Sequence, residues 1–404
     1  MGFLPKTMGT RPRLACEVRA EGVVAARADD SAAVLSAVER VSFEGRTAIA
    51  NNPASALART EKVSALKRAL DAVSQRGREV TLVVPDTAAR VLLIDFDELP
   101  AKQAEALPVV RFRLKKLLPF DADDAAVSYQ IMAETRSMTQ VLAVAMPREA
   151  LAEYEAMVRE AGYEPGAVLP STLAALAGLD ENERASLVVN AGREAVTTAI
   201  VRGGILLLHR TVDLSGGSNG EAATAVLPEA PRAADGSTAS VGAPPLADEA
   251  SRETSRDTTI AAIAARFAAM EGQTMPAPRA PETPAISRVG SALASGMVQS
   301  AASSEAVNVT SATSVASSAQ RVVAPAEEIA QAVNVAAAYF EDTLGAAPQV
   351  ILSAGTLGAD ALMHLLDGSS PRAEEMVSSA MLGPGANVSV PAGWLAGVRG
   401  ALRS

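Results

Sequence analysis

Few of the 404 side chains are of kinds that ordinarily do chemistry. There are two histidines, His209 and His364, and one cysteine, Cys16. The histidines are too few and too far apart in sequence to suggest a metal site, and both read as ordinary strand and helix residues. Without further histidines no Ser/His/Asp or Cys/His arrangement can be assembled. Cys16 lies in an apolar run and reads as a small buried hydrophobe rather than a nucleophile. Asp121, Asp123 and Asp124 have the spacing that opens a calcium loop, but the Gly and Glu that complete one do not follow. Just before them stand Arg111, Arg113, Lys115 and Lys116. This basic run reads as a solvated helix face; an acidic or anionic-membrane partner is the alternative, and the neighbouring aspartates weaken the membrane version. What remains is backbone chemistry. Asn190-Ala191-Gly192 is a tight turn at the end of the buried-strand pattern Leu187-Val188-Val189, and such glycine turns can present N–H groups to phosphate oxygens.

The elements around that turn follow from patterning. Two short apolar runs, 196–200 and 205–208, flank Gly203-Gly204 and form a hairpin whose turn needs positive φ. Upstream, 14–18 and 23–26 read as short strands joined across 19–22. A helix over 60–76 carries Val63, Leu66, Leu70 and Val73 at helical spacing, with Gly77 as its C-cap. Residues 80–84 form a strand ended by Pro85-Asp86, and 89–96 form another. Pro100 opens a helix with Leu107, Val110, Leu114 and Leu117 on its apolar face. Pro108 imposes a kink or a late start there, and Leu118-Pro119-Phe120 ends the helix. Strands follow at 127–132 and 140–145. Pro147 opens a helix bearing Leu151, Tyr154, Val158 and Ala161 on one face, with Gly162 after it; 173–179 is a short helix. Beyond the hairpin come a helix over 327–344 (Ile329, Val333, Ala336, Phe340) and a buried strand at 350–353. A small-residue turn at 354–358 leads into a helix over 359–366, and a closing helix over 391–403 has Trp394, Val398 and Leu402 on one face.

Length allows two or three domains. Lys plus Arg is 36 against 46 Asp plus Glu, a net charge of −10, which argues against general nucleic-acid binding. One cysteine precludes an intramolecular disulfide and suits a reducing compartment. No apolar run approaches the roughly 18–20 residues of a membrane span. The first residues carry Lys6, Arg11 and Arg13 but no apolar signal core. The chain reads as soluble and cytoplasmic. Over 215–324 Ser, Ala, Thr, Gly and Pro dominate. Such a stretch cannot bury enough surface to offset an ordering cost of roughly 1–2 kcal/mol per residue, and is expected to be mostly disordered. One island, 258–270, has Ile260, Ile263, Phe267 and Met270 at helical spacing. It is either a short helix that docks on a partner or on the parent domain, or one that forms only transiently.

This order of elements resembles the actin-like ATPase fold and, within it, the PilM family of type IV pilus assembly proteins. The closest stretch is 80–166. It holds Val83-Val84-Pro85 at a strand end, Leu99-Pro100 before a helix, and Leu118-Pro119-Phe120 where the family has Ile-Pro-Phe. An acidic stretch at 121–124, Tyr129 in a strand and the turn Ala161-Gly162-Tyr163 complete it. Residues 187–210 look like the second phosphate loop, and 350–366 like the adenosine loop with its helix. With 329–340 and 394–403 the resemblance reaches both ends of the chain. It does not cover 215–324, where the family holds a folded subdomain, 2B. The implied fold is α/β: an actin-like, ribonuclease H-like, two-lobed fold with an inserted small subdomain of 1C type and a long disordered insertion. The first lobe (1A) takes 10–78 and 164–180, the 1C-like subdomain 79–163, the second lobe (2A) 185–214 and 325–404, and the insertion 215–324.

The family's nucleotide site uses Asp-x-Gly twice and Gly-Gly at the adenosine end. Here those loops read Glu17-Val18-Arg19, Asn190-Ala191-Gly192 and Ala354-Gly355. Mg²⁺ and a γ-phosphate need carboxylate ligands and bare backbone. Arg19 would occupy the space where backbone approaches phosphate, Asn190 removes a charge, and Ala354 puts a Cβ where positive φ would cost about 1 kcal/mol. The resemblance thus implies a degenerate nucleotide site (Glu17, Arg19, Asn190, Gly192, Ala354, Gly355), with no catalytic residue, metal or cofactor expected. ATP with Mg²⁺ stays open if Arg19 itself contacts phosphate. It further implies a cytoplasmic scaffold of the pilus inner-membrane assembly complex, a pseudo-ATPase held at the inner membrane through its partner. That partner is a PilN-like membrane protein, whose cytoplasmic tail would enter a groove between 1A and 1C near Val84, Leu92, Ile94, Phe96, Leu117 and Phe120. An ATP-binding, polymerising actin-like ATPase is the alternative, opposed by the missing 2B surface. A GspL-like type II secretion component is a third, opposed by the lack of a span.

Overall fold

The computed structural model describes residues 12–43, 56–180, 184–214, 312–366, 371–386 and 389–403. The first sheet begins with an antiparallel meander, β1 (Leu14–Arg19), β2 (Gly22–Ala28) and β3 (Leu35–Ser42). On the other side of β1 lie β4 (Glu79–Val84) and then β8 (Glu164–Pro170), both parallel to it, giving the order β3-β2-β1-β4-β8. The second sheet repeats this plan. An antiparallel meander of β9 (Ser186–Ala191), β10 (Ala195–Arg202) and β11 (Ile205–Asp213) is extended by β12 (Val350–Ala354) and β13 (Arg372–Glu375), in the order β11-β10-β9-β12-β13.

The repeat extends to single residues. Glu17 pairs with Val24 across the first hairpin and Asn190 with Thr197 across the second, seven positions on in each. Glu17 and Asn190 therefore hold equivalent places, and so do Arg19 and Gly192, two residues further along each strand. The turn at Gly203-Gly204 has φ of 56° and 75°, the doubly positive geometry that favours glycine in a two-residue hairpin.

Both central strands are buried on two faces, which is why they read as near-continuous apolar runs. On one face of the first sheet, α1 (Ala56–Val73) and α3 (Arg148–Glu160) pack Leu66, Leu70, Met157 and Val158 against Cys16, Val18 and Leu82. Burial and the neighbouring Glu17 push the Cys16 thiol up to about 12, so it stays an inert small hydrophobe. The second sheet is covered by α5 (Ala312–Leu344), which buries Ile329, Val333, Ala336 and Phe340 with Leu187, Ile200 and Ile351, and by α6 (Ala359–Leu365). Between the two sheets runs one shared core. It includes Ala15, Val24, Val188 and Ala199 from strands, Leu173 and Leu176 from α4 (Ser171–Ala177), and Val398 and Leu402 from α7 (Ala396–Leu402).

A third, smaller sheet, β5 (Arg90–Phe96), β7 (Thr139–Pro147) and β6 (Ala125–Glu134) in the order β5-β7-β6, is inserted between β4 and β8. Helix α2 (Gln103–Leu114) covers it through Ala106, Val110 and Leu114. This corrects the apolar face expected for that helix. It ends at Leu114, so Leu117 lies beyond it and is 45% exposed, and Leu107 is only half-buried. Pro108 sits inside a late-starting helix. Helix α5 begins at Ala312, earlier than the pattern at 327 suggested, and a 3₁₀ turn (Ala392–Leu395) precedes α7. Three strands had no counterpart in the patterning: β3, β8 and β13. The 258–270 segment and most of the Ser/Ala/Pro insertion lie outside the described residues. Among the described residues no helix is long and apolar enough to cross a membrane.

Candidate functional site

The carboxyl ends of β1, β4 and β9 and the first residue of α4 line one cleft, as open α/β sheets place their sites. Glu17 and Arg19, on a strand sealed from water, meet there. Arg19 Nη2 lies 2.6 Å from Glu17 Oε1 and both side chains are buried. Ser171, the first residue of α4, donates to Glu17 Oε1 at 2.6 Å. Arg19 also donates to Ser171 Oγ at 3.2 Å and to Asn190 Oδ1 at 3.4 Å. Burial pushes the Glu17 carboxyl above its ordinary range and Asp86 adds to this; Arg19 and the Ser171 hydroxyl pull the other way. Glu17 Oε2 has no hydrogen-bond partner among the described residues and faces Gly397 of α7.

Asn190 is the centre of the second half. Its Nδ2 is 2.9 Å from Ser171 Oγ, 3.0 Å from Thr172 Oγ1 and 3.3 Å from Asp86 Oδ2. Asp86 in turn accepts from the Thr172 N–H at 2.9 Å and from its hydroxyl at 2.5 Å. An aspartate at 190 would set two like charges about 3.3 Å apart, where only one could stay ionised. The amide is thus what this network requires. His209 of β11 is held below its ordinary pKa by burial, with Asp86 opposing, and its Nε2 has no hydrogen-bond partner among the described residues.

The turns' backbone donors are committed. Gly192 N–H goes to Ala195 O at 3.0 Å, Leu357 N–H to Ala191 O at 3.1 Å, and Gly355 N–H to Gly393 O at 2.9 Å. Arg193 N–H goes to Glu21 Oε1 at 2.8 Å, and Thr356 Oγ1 donates to the same oxygen at 2.8 Å. Gly355 has φ of +91°, and a Cβ there would meet the Ala191 backbone and Asn190 Oδ1, so the two loops touch only because it is glycine. The strain expected at Ala354 is absent: it ends β12 in extended conformation, and among the described residues the one non-glycine with positive φ is Ala33. The cleft, lined by Glu17, Arg19, Glu21, Asp86, Asn190 and Glu194 among others, encloses about 50 Å³ and is open to solvent on one side. Among the described residues no cluster of three or more His, Cys, Asp or Glu could hold a metal ion.

The fold therefore brings together Glu17, Arg19, Asn190, Gly192, Ala354 and Gly355. Of the residues named for a tail groove it brings Leu92, Ile94, Phe96 and Phe120 together in the small subdomain. Val84 is sealed in the first lobe's core, Leu92, Ile94, Phe96 and Phe120 pack into the core of the small subdomain, and Leu117 points outward. Asp86, Ser171, Thr172 and Glu21 went unnoticed in the sequence. The Pro85-Asp86 strand end was a signal for the first; Pro170-Ser171-Thr172, a helix start, was one for the next two.

Two sheets of identical order, facing each other across a cleft at their strand ends, define a mixed α/β fold of the actin-like ATPase class. Within that class the chain matches a protein chain of the solved PilM–PilN type IV pilus biogenesis complex, with a TM-score of 0.58 and 17% identity over 97% of this chain and 98% of that one. At that identity the likeness is one of fold. Weaker likenesses are found to the cytoplasmic domain of EpsL, an inner-membrane component of the type II secretion system of Vibrio cholerae (TM-score 0.34, 14% identity, 50% of this chain and 71% of that one). Another is to the ethanolamine utilization protein EutJ of Carboxydothermus hydrogenoformans (TM-score 0.38, 8% identity, 97% and 89%). No protein-family model and no curated protein matches the sequence.

Proposed function

We propose that the chain is a non-hydrolysing scaffold of PilM type. It would work in the cytoplasm as part of a type IV pilus inner-membrane assembly and carry the cytoplasmic tail of a PilN-like protein. The fold likeness over nearly the whole of both chains supports the assembly role. The observation that carries the non-enzymatic part is the cleft itself. Arg19 fills it and is bonded to Glu17, Ser171 and Asn190. The residues do not fit a metal-bound triphosphate: the position opposite Glu17 is a neutral amide engaged as a donor, and the N–H groups of Gly192, Arg193, Gly355 and Leu357 already have acceptors. No catalytic step is assigned to them.

The test is direct. A synthetic peptide with the sequence of the PilN-type cytoplasmic tail is titrated into the full chain with and without ATP and Mg²⁺. Binding is expected, with equal affinity in both. ATP turnover should stay far below the roughly 1 per second of a working enzyme. A folded chain that ignores the peptide overturns the assembly role; steady turnover overturns the non-enzymatic one.

A further inference from the structure

Five large apolar side chains stand out from the surface of the described residues, and three of them, Val109, Phe112 and Leu117, belong to α2 and the turn that follows it. Phe112 is the most exposed of the five, at 68%. The helix has already seated Ala106, Val110 and Leu114 on the small sheet, so this second apolar strip has no part in folding. Cations surround it. Arg111 is committed to the carbonyls of Ala122 and Ala125, Lys115 to Asp123 at 2.5 Å and Lys102 to Glu105 at 3.4 Å. Arg113 and Lys116 are exposed and have no acidic partner among the described residues. The aspartates at 121–124 do not cancel these two. At about 100° per residue, Arg111 and Lys115 fall on one side of Phe112, and Val109, Arg113 and Lys116 on the other. The aspartate turn is held on the first side, by Arg111 and Lys115.

We propose that this outer face of α2 docks on an anionic lipid bilayer, with Val109, Phe112 and Leu117 entering the boundary between headgroups and acyl chains while Arg113 and Lys116 meet the lipid phosphates. Shape and charge select this occupant. The apolar side chains stand on the outside of a helix, opposite its packed face. A partner must therefore yield around them, as a fluid bilayer does and a folded protein does only with a matching pocket. The two uncommitted charges are positive in a chain of net charge −10, which makes this face the place where a negative surface can approach. Two cations and three side chains give weak, salt-sensitive adhesion rather than an anchor. The inference goes beyond the scaffold reading and does not need it.

The full chain is sedimented with vesicles of phosphatidylcholine containing about one-third phosphatidylglycerol, and with vesicles of phosphatidylcholine alone. It should bind the anionic vesicles at low salt, ignore the neutral ones, and come off in about 1 M salt, where charges act over only about 3 Å. Phe112→Ser should lower the partition coefficient by about tenfold, and Arg113→Ser with Lys116→Ser by about tenfold or more. Arg68→Ser with Arg76→Ser, which removes two exposed cations from the first lobe, should change it by less than about twofold. A melting temperature matching wild type shows that each variant is folded, and Leu117→Ser replaces Phe112→Ser if that variant is not. Wild type that does not sediment with anionic vesicles overturns the proposal. So does binding that survives both the Phe112 and the Arg113/Lys116 changes. Wild type that ignores vesicles but binds poly-glutamate through these residues overturns it in favour of an acidic protein partner. The vesicles carry no protein, so the result is independent of the peptide titration that tests the scaffold reading.

Discussion

Arg19→Met should destabilise the folded chain by about 3–5 kcal/mol, the usual cost of leaving one member of a buried ion pair alone. Glu17 sits on the central strand with no exposure, and Arg19 is its cationic partner at 2.6 Å. The deficit should also depend on pH. The Glu17 carboxyl already lies above its ordinary range because burial outweighs the pull of Arg19 and Ser171. Without Arg19 it must rise further. An acid whose folded-state pKa exceeds the unfolded one contributes stability below the unfolded pKa, and loses it as pH rises through the folded value. Urea unfolding should therefore show a smaller deficit near about pH 5 than near about pH 8. Glu17→Gln combined with Arg19→Met should recover most of the loss, since no buried charge is then orphaned. Equal deficits at both pH values, or no recovery in the double variant, would show that the pair does not govern this site.

Gly400→Ala should also be damaging, by about half as much. Helix α7 presents Gly397 and Gly400 to the first lobe. A Cβ at 397 would strike Glu17 Oε2, and one at 400 would strike the Ala174 carbonyl and lie 2.8 Å from Gly178 N. The helix cannot slide aside, because Arg399 and Arg403 both donate to the Gly178 carbonyl at 2.8 Å. Overpacking against backbone costs about 1–3 kcal/mol, while alanine returns about 1 kcal/mol of helix propensity. With the Cβ far inside the contact distance of the Ala174 carbonyl oxygen the upper end of that range applies, so a net loss of about 2 kcal/mol, roughly 3 less 1, is expected in thermal or urea melts. Gly162→Ala is the control: φ there is +89° with nothing within 4 Å, so only backbone strain of about 1 kcal/mol applies. Equal effects at the two glycines would mean that α7 is not wedged.

What the sequence showed and hid follows one physical line. Strands in the middle of a sheet, such as β4, β9 and β12, must be apolar on both faces and were legible as runs. The strands without a signal, β3, β8 and β13, are all edge strands. Edges need fewer apolar faces and favour prolines and charges that discourage further pairing. Accordingly β8 carries Pro165 and Gly166, β13 reads Arg-Ala-Glu-Glu, and β3 has Glu39 and Arg40. At the site, the three loops were legible as departures from a glycine-and-carboxylate pattern. Their partners were not, because Asp86, Ser171 and Thr172 reach Asn190 from 104, 19 and 18 positions away. Only tertiary folding defines that proximity. A tail groove is not legible in the same way, because apolar residues on paired strands mark core and docking surface alike.

The equivalence of Glu17 and Asn190 in the duplicated hairpins has a bearing on regulation. A pair of facing acids would repel until some outside cation arrived, and the molecule would then sense that cation's supply. Here one half holds an acid with its guanidinium built in, and the other an amide. On the scaffold reading proposed above, closure of this protein should therefore be indifferent to magnesium level and to the energy state of the cell.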